Sequence, residues 1–277
     1  MVRSIRSVLV NWRFPLILVI LCLLTFFELH SLAVNSGMHQ AEYNLYDLFL
    51  YMQDYWRIVF AIAIPFLFLI GILTLDREQD GLAIYRCRNR WEWFGSKVLS
   101  ILLISLIYVA SIFLLVLFIG VASLARGNEW SEATILVSSD LEKSDLFGNV
   151  VHPAMVHVLT PLEAVVISTL LLWLLLSSLG LISLTVNVVT KRKVFGFLAT
   201  IAFIVIMIFI HREEWESLFH WSLFTNAILN QHDFGQDEMR PTLFYSFIYF
   251  PIFIGFFTVL GYLLFLRVDI SFEERSL

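Results

Sequence analysis

Six long apolar runs alternate with shorter polar connections along the 277 residues of the chain. A helix needs about 20 consecutive apolar residues to cross the hydrocarbon core of a bilayer. Each run is close to that length or longer, so together they predict six transmembrane helices at about 14–34, 57–75, 98–124, 163–190, 194–210 and 245–266. We therefore predict an all-α integral membrane protein that forms a single transmembrane domain over residues 1–277.

The composition agrees with this prediction. Hydrophobic residues make up 59% of the chain and charged residues 15%, and the mean hydropathy is +0.83. A soluble domain has about 45–50% apolar and about 25% charged residues, so a soluble enzyme is excluded. The two cysteines, Cys22 and Cys87, provide neither a disulfide framework nor the spacing of a metal site.

The orientation follows from the distribution of lysine and arginine, which favour cytoplasmic loops. Thirteen of the 18 basic residues fall before the first run, between the second and third, between the fourth and fifth, and after the sixth. The opposite side carries 16 of the 23 acidic residues, which include Glu28 and Glu163 in the outer parts of predicted spans. We expect both termini in the cytoplasm and the protein in the cell membrane of a bacterium, with the lipid bilayer as its main surroundings.

The segment before the first run predicts a short helix that lies in the cytoplasmic interface. Its apolar residues recur at helical spacing, while its arginines fall between them. The alternative is a frayed basic anchor. The apolar residues are Val2, Ile5, Val8, Leu9 and Trp12, and the arginines are Arg3, Arg6 and Arg13.

One connection is far more charged than the rest. Residues 76–99 contain five basic residues, four acidic residues and two tryptophans between the second and third apolar runs. If this stretch is helical, Arg86 and Arg90 share one face and Arg88 points to the other. Charge alone is also compatible with a solvated cytoplasmic loop.

The order of residues in this stretch resembles the cytoplasmic loop between spans two and three of ABC-2-type ABC transporter permeases. That loop has an acidic-Arg-Glu segment followed by Gly, then Arg-x-Glu, then Gly and Lys at the start of the third span. This chain differs in the residue inserted between Gly95 and Lys97, and in Leu82 where the family often has Thr. The matching positions are Asp76, Arg77, Glu78, Gly81, Arg90, Glu92, Gly95 and Lys97.

The resemblance implies that this loop is a coupling helix bound by a separate ATPase subunit. The residues implied in ATPase coupling are those eight together with Arg86 and Arg88. It also implies two ATPase copies, a second copy of this permease or a sister permease, and short re-entrant helices between spans five and six.

The chain itself has no nucleotide site and no enzymatic motif. No G-x-x-x-x-G-K-[ST] phosphate-binding loop occurs, so ATP and Mg²⁺ would be bound by the partner ATPase, and we expect no cofactor on this chain. No G-x-S-x-G occurs either, and the predicted spans offer no buried histidine to activate a serine. We do not expect a nucleic-acid partner.

A few polar residues lie within the apolar runs, where they are costly and therefore candidates for function. Glu28 either lies near the outer interface, hydrated or paired, or lines a translocation path. Ser177, Ser178 and Asn187 in the fourth run either mediate helix packing or line the same path.

All seven histidines fall on or near the side opposite the basic connections, at positions 30, 39, 152, 157, 211, 220 and 232. No two of them have the spacing of metal ligands, so we expect surface histidines and no metal site. Leu45, Leu48, Phe49 and Met52 recur at helical spacing, which suggests that the second transmembrane helix continues outward.

These observations predict the membrane subunit of an ABC transporter that exports an amphiphilic peptide, drug or lipid-like compound, using ATP hydrolysed by another chain. The alternative is a membrane sensor or assembly factor that does not transport and binds a cytoplasmic partner through residues 76–97.

Overall fold

The computed structural model describes residues 2–39, 41–71, 89–139, 153–190, 192–235 and 239–267. These residues form helices and contain no β-strand. The α-helices are α1 (Val2–Leu9), α2 (Arg13–His39), α3 (Leu45–Met52), α4 (Tyr55–Arg57), α5 (Ile64–Ile70), α6 (Arg90–Gly120), α7 (Glu132–Ser139), α8 (Pro153–Val158), α9 (Pro161–Thr190), α10 (Lys193–Arg212), α11 (Leu223–Ala227) and α12 (Leu243–Arg267). A π-helix (Ile58–Ala63) joins α4 to α5, and two 3₁₀ helices (Glu216–Trp221 and Leu229–Gln231) flank α11.

Five of the described helices are long and apolar enough to cross a membrane: α2, α6, α9, α10 and α12. They match five of the six predicted spans within a few residues at most ends, and the prediction of an all-helical membrane protein is confirmed. The predicted second span, 57–75, is not among the five: its described helical part, Arg57–Ile70, is long enough only together with α3, which it meets at 82°. The expectation that α3 simply continues the second transmembrane helix outward is therefore wrong.

Helix α9 lies at the centre of the bundle. In its apolar window 67% of the residues are buried, against 11% in α12, and α9 packs against α3, α6, α10 and α12. Its serines and Gly180 are small side chains, which allow neighbouring helices to approach closely. A helix that is apolar on all sides must be buried in protein or lipid, and α9 is buried in protein.

The outer helices of the bundle expose apolar side chains that a soluble protein would bury. Phe244, Phe256 and Leu263 of α12 and Leu23 and Phe27 of α2 are each more than half exposed. A contiguous surface of this kind indicates contact with lipid or with another membrane protein.

Exposed tryptophans cluster at the two ends of the bundle. Trp12 and Trp91 lie at the end that carries the N-terminus, which we call the basic end. Trp56, Trp215 and Trp221 lie at the opposite end, which we call the acidic end. Tryptophan favours the two interfaces of a membrane. The two groups of exposed tryptophans therefore support a transmembrane placement of the helices between them.

Helix α1 confirms the predicted short N-terminal helix. Val8 is fully buried and Ile5 is partly buried against the bundle, while Arg6 and Ser7 are exposed. The helix packs against α6. Its one-sided burial is typical of an amphipathic helix at an interface.

Candidate functional site

At the basic end, four of the predicted coupling residues lie in the first two turns of α6. Arg90 and Glu92 are exposed, Gly95 is partly buried inside the helix, and the side chain of Lys97 is buried. The remaining predicted coupling residues, Asp76, Arg77, Glu78, Gly81, Arg86 and Arg88, lie outside the described residues. The third transmembrane helix was predicted to begin at residue 98, but α6 begins at Arg90. The end of the charged stretch is therefore continuous with a membrane helix.

Arg90 connects the start of α6 to the end of α12. Its Nη1 donates a hydrogen bond to the carbonyl oxygen of Leu266 at 3.1 Å. The last carbonyl groups of a helix have no partner within the helix and carry partial negative charge, so a guanidinium group at this position stabilises the end of α12. Arg13 makes the same kind of contact with α5, since its Nη1 donates to the carbonyl oxygen of Phe68 at 3.3 Å.

Aromatic rings strengthen the contact between α6 and α12. Trp93 stacks on Phe265 with ring centroids 4.8 Å apart, and Trp91 meets Tyr262 edge-on at 4.7 Å. Such pairs contribute about 0.5–1.5 kcal/mol each beyond the apolar area that they bury. A displacement of the first turns of α6 must therefore also displace the end of α12.

Lys97 faces the protein. Its Nζ lies 5.4 Å from the centroid of the Trp93 ring, a cation–π distance, and the residue is 9% exposed. Among the predicted coupling residues that the structure describes, Arg90 and Glu92 are accessible to a partner subunit, and Lys97 is not.

Within the bundle, Glu28 forms a two-point ion pair with Arg57. Arg57 Nε donates to Glu28 Oε1 at 2.6 Å and Nη2 donates to Oε2 at 2.9 Å. The Glu28 side chain is 5% exposed and that of Arg57 is 22% exposed. Arg57 also lies 3.3 Å from Asp54 and 4.1 Å above the Tyr51 ring. Glu28 is thus paired in the structure, and its role in a translocation path stays a prediction.

The fold explains how Arg57 reaches Glu28. Helix α2 continues for 11 residues beyond Glu28, which is about 16 Å of helix. The chain then turns back through α3, which is buried along almost its whole length, and reaches Arg57 at the 82° bend. The ion pair thus connects α2 to the bend.

An irregular stretch of helix follows Arg57. The π-helix Ile58–Ala63 has a wide turn, and Pro65 just beyond it lacks a backbone N–H group. Tyr108 of α6 donates to the carbonyl oxygen of Ile62 at 3.2 Å, which stabilises this segment from the side. π-Helical turns occur often at functional sites, so the Glu28–Arg57 pair and the π-helix are our main candidate site inside the bundle.

The serines predicted as possible path residues lie in helix contacts. Ser177 Oγ is 2.7 Å from Ser105 Oγ of α6 and donates to the carbonyl oxygen of Trp173 at 2.8 Å. Ser178 donates to the carbonyl oxygen of Leu174 at 2.8 Å. Both serines are fully buried. This geometry favours the packing interpretation, and their role in a path stays a prediction.

Asn187 joins α9 to α10 at the basic end. Its side-chain oxygen accepts a hydrogen bond from the backbone N–H of Gly196 at 2.8 Å, and the residue is fully buried. A Cβ atom at Gly196 would overlap with this oxygen and with the backbone carbonyl of Ser183. The two helices therefore approach each other at a position where only glycine fits.

Replacement of Gly196 by alanine should lower the stability of the protein by about 1–3 kcal/mol, the usual cost of overpacking a tight contact. The matched control is Gly255→Ala on α12, where no atom lies within 4 Å of the added Cβ. The control should be neutral or stabilising, because alanine favours helix more than glycine does. Thermal unfolding of the purified protein in detergent measures both effects. Equal midpoints for the two variants would contradict the close approach.

At the acidic end, the connections between the long helices pack on one another. Asp47 at the start of α3 accepts hydrogen bonds from the backbone N–H of Asn44 at 2.7 Å and from the Thr134 hydroxyl at 2.7 Å. Asn44 in turn donates from its side chain to the carbonyl oxygen of Glu129 at 2.8 Å. These bonds fix the position of α3 relative to α7.

A small pocket with a cavity volume of about 20 Å³, partly open to solvent, lies beside α3 at this end. Its polar side chains come from three parts of the fold, and apolar residues complete the lining. The polar residues are Gln53, Asp54, Ser168, Asn230 and Gln231, and the apolar ones are Leu50, Met155, Ile228 and Leu229.

His232 corrects the expectation that the histidines are dispersed on the surface. It is fully buried, and its Nε2 lies 2.9 Å from Ser246 Oγ of α12. Ser246 is also fully buried. The contact could not be foreseen because 13 residues separate the two side chains in the sequence. Among the described residues, no group of three or more histidine, cysteine or acidic side chains could hold a metal ion.

Comparisons with known proteins do not assign the chain to a family. No protein-family model matches it, and no solved structure matches it. An uncharacterized protein of Halalkalibacterium halodurans is 22% identical over 236 residues, which cover 84% of this chain and 82% of that protein. The similarity extends over most of both chains. The class established by the fold is that of a helical membrane protein.

Proposed function

We propose that this chain is the membrane subunit of an ATP-driven transporter of the ABC-2 type. In this proposal the bent segment from α3 to α5 is the second of six spans, both termini are cytoplasmic, and the protein lies in the bacterial cell membrane. A separate ATPase subunit binds the loop that includes residues 76–97, and two copies of each subunit form the complex. ATP and Mg²⁺ are bound by the ATPase.

The observation that carries the proposal is the continuity of α6 from the charged stretch into the bundle. Arg90 and Glu92 are exposed on the first turn of α6, where a partner can reach them. The same turn contacts α12 through the Arg90–Leu266 hydrogen bond and the Trp93–Phe265 stack. A force applied by an ATPase at this turn is therefore transmitted to two membrane helices. The absence of a phosphate-binding loop motif from this sequence is consistent with ATP hydrolysis by a separate subunit.

The substrate that we propose is an amphiphilic compound, such as a peptide, a drug or a lipid-like molecule, and the direction is export. The support for this class is the apolar character of the membrane helices together with polar groups at the acidic end. The pocket beside α3 contains amide, hydroxyl and carboxylate groups next to apolar side chains.

The proposal is tested by expressing the chain with the ATPase encoded beside it and reconstituting the complex in liposomes. We expect ATP hydrolysis that a subset of amphiphilic compounds stimulates, with ATP-dependent movement of those compounds across the bilayer. A complex that binds its partner through residues 76–97 but neither hydrolyses ATP nor moves any compound would instead support a sensor or assembly factor.

A further inference from the structure

A buried hydrogen-bond network at the acidic end contains one more acceptor than it can satisfy with neutral side chains. It consists of Asn226, His232 and Ser246, and we call it the His232 network. All three residues are fully buried. They come from α11, from the connection after it and from α12, so the network joins three parts of the chain.

The orientation of Asn226 is fixed by its neighbours. Its Nδ2 donates to the carbonyl oxygens of His220 at 2.9 Å and Ser222 at 2.8 Å, which uses both amide hydrogens. Its Oδ1 must therefore act as an acceptor, and Ser246 Oγ lies 2.7 Å from it. The single hydroxyl hydrogen of Ser246 belongs to this contact.

The imidazole of His232 faces acceptors on both sides. Nδ1 lies 3.0 Å from the carbonyl oxygen of Ile228 and 3.3 Å from that of Leu229. Nε2 lies 2.9 Å from Ser246 Oγ, whose hydrogen is already donated to Asn226. A neutral imidazole carries one N–H group and can donate on only one side. In either neutral tautomer, one of these close contacts is therefore between two hydrogen-bond acceptors, with no hydrogen between them.

We propose that the His232 network is a proton-binding site, and that uptake of one proton by His232 controls how firmly α11 and the connection after it are bound to α12. Protonated His232 donates from both ring nitrogens, so every contact in the network then has a hydrogen. Burial opposes the charge and lowers the pKa of His232 to about 4 from its ordinary 6.5. His232 is thus neutral at pH 7 and takes up a proton in acid.

The sign of the effect follows from linkage. When the network opens, His232 meets water and its pKa returns towards 6.5. The closed network is therefore most stable above pH 6.5, loses stability as the pH falls from 6.5 to 4, and loses no more below pH 4. Since Ile228 and Leu229 also line the pocket beside α3, acid should open one wall of that pocket.

The groups that bond to the imidazole are neutral, namely the backbone of Ile228, Leu229 and Asn226 and the Ser246 hydroxyl. Other ionisable groups lie on the elements packed around the network, and their titration must be separated from that of His232. They are Glu163 on α9, His211 and Arg212 on α10, Glu216 and His220 on the first 3₁₀ helix, Asp233 and Arg240 on the following connection, and Tyr245 and Tyr249 on α12.

The first test is a titration of the full chain in lipid nanodiscs, with ¹⁵N-labelled histidine followed by NMR between pH 3.5 and 8. We expect one imidazole to remain neutral at pH 5 and to become protonated near pH 4, and its signal to be absent in His232→Gln. Ser246→Ala removes the acceptor of the Nε2–H group and should move this titration to still lower pH. A His232 that titrates at its ordinary pH of about 6.5 in the folded protein would overturn the proposal.

The second test measures amide hydrogen exchange of residues 226–232 at each pH, relative to the same amides in His232→Gln. The opening of this segment should increase by roughly 100-fold between pH 7 and pH 4, which follows from the two pKa values, and level off below pH 4 at no more than roughly 300-fold. The variant His220→Gln should retain the pH dependence, because it leaves the network intact. Exchange that is independent of pH relative to His232→Gln would show a structural contact only and would overturn the proposal. Neither test requires an ATPase or transport, so the outcome is independent of the proposed function.

Discussion

Replacement of Arg57 by leucine should destabilise the protein by about 3–5 kcal/mol, because it leaves the carboxylate of Glu28 buried without its partner. Glu28 has only 5% of its side chain exposed, and both of its oxygens bond to Arg57 at 2.6 and 2.9 Å. The substitution also removes the contacts of Arg57 with Asp54 and the Tyr51 ring. Chemical or thermal unfolding in detergent, followed by tryptophan fluorescence, measures the loss.

A double-mutant cycle separates the ion pair from the other contacts of Arg57. The variant that carries both Glu28→Leu and Arg57→Leu should regain much of the stability lost in the single variants, since no uncompensated charge remains. Arg126→Leu is the control, because Arg126 is an exposed arginine that bonds a backbone carbonyl of its own connection, and its effect should be within about 1 kcal/mol. Additive losses for the two single variants would contradict a direct energetic coupling between Glu28 and Arg57.

Replacement of Glu92 by arginine should reduce ATP-driven transport at least tenfold while the folded protein remains intact. Glu92 is exposed on the first turn of α6, the turn that we propose the ATPase contacts. An opposite charge there repels a complementary surface on the partner. The change costs the helix only about 0.3–1 kcal/mol through the dipole. Transport in liposomes and co-purification of the ATPase measure the effect on function, and the unfolding midpoint measures the effect on the fold.

The matched control is Glu132→Arg, which makes the same change of charge on an exposed residue at the acidic end. It should leave both ATPase binding and transport unchanged. Arg90 is less suitable as a probe, because it bonds the carbonyl oxygen of Leu266 and its replacement should weaken the contact with α12 as well. Equal transport by the Glu92 variant, the Glu132 variant and the unmodified protein would argue against docking on the first turn of α6.

The long membrane helices could be predicted from the sequence because each depends on a local property, an apolar run of sufficient length. Helix α1 was predictable for a similar reason, since its apolar residues recur at helical spacing. The bend between α3 and Arg57 was not predictable, because both segments have the pattern of a helix and only a short stretch that includes Gln53 and Asp54 separates them. What determines the bend is the fit of α3 against α2, α6 and α9, which is a property of the assembled bundle.

The site residues also divide into those that a local sequence pattern identifies and those whose contacts depend on the assembled fold. Glu28 was identified because a carboxylate in an apolar run is unusual. Its partner Arg57 was not identified, because Arg57 was counted with the basic residues of the outer connections. The chain turns back into the bundle between the two residues, and no local pattern records this turn. His232 was missed because it lies in a polar connection, where burial depends on contacts with Asn226 and Ser246. Its sequence neighbours Gln231 and Asp233 suggested exposure to solvent.

The most direct measurement of the proposed function is site-specific photo-crosslinking in native membranes. A photoreactive phenylalanine analogue at position 92 is activated by light, and the crosslinked partner is identified by mass spectrometry. We predict a covalent product with a cytoplasmic subunit that contains a phosphate-binding loop and hydrolyses ATP, and no such product from position 132. A product that contains no nucleotide-hydrolysing subunit, or a residue 92 that reacts with reagents confined to the cell exterior, would contradict the account.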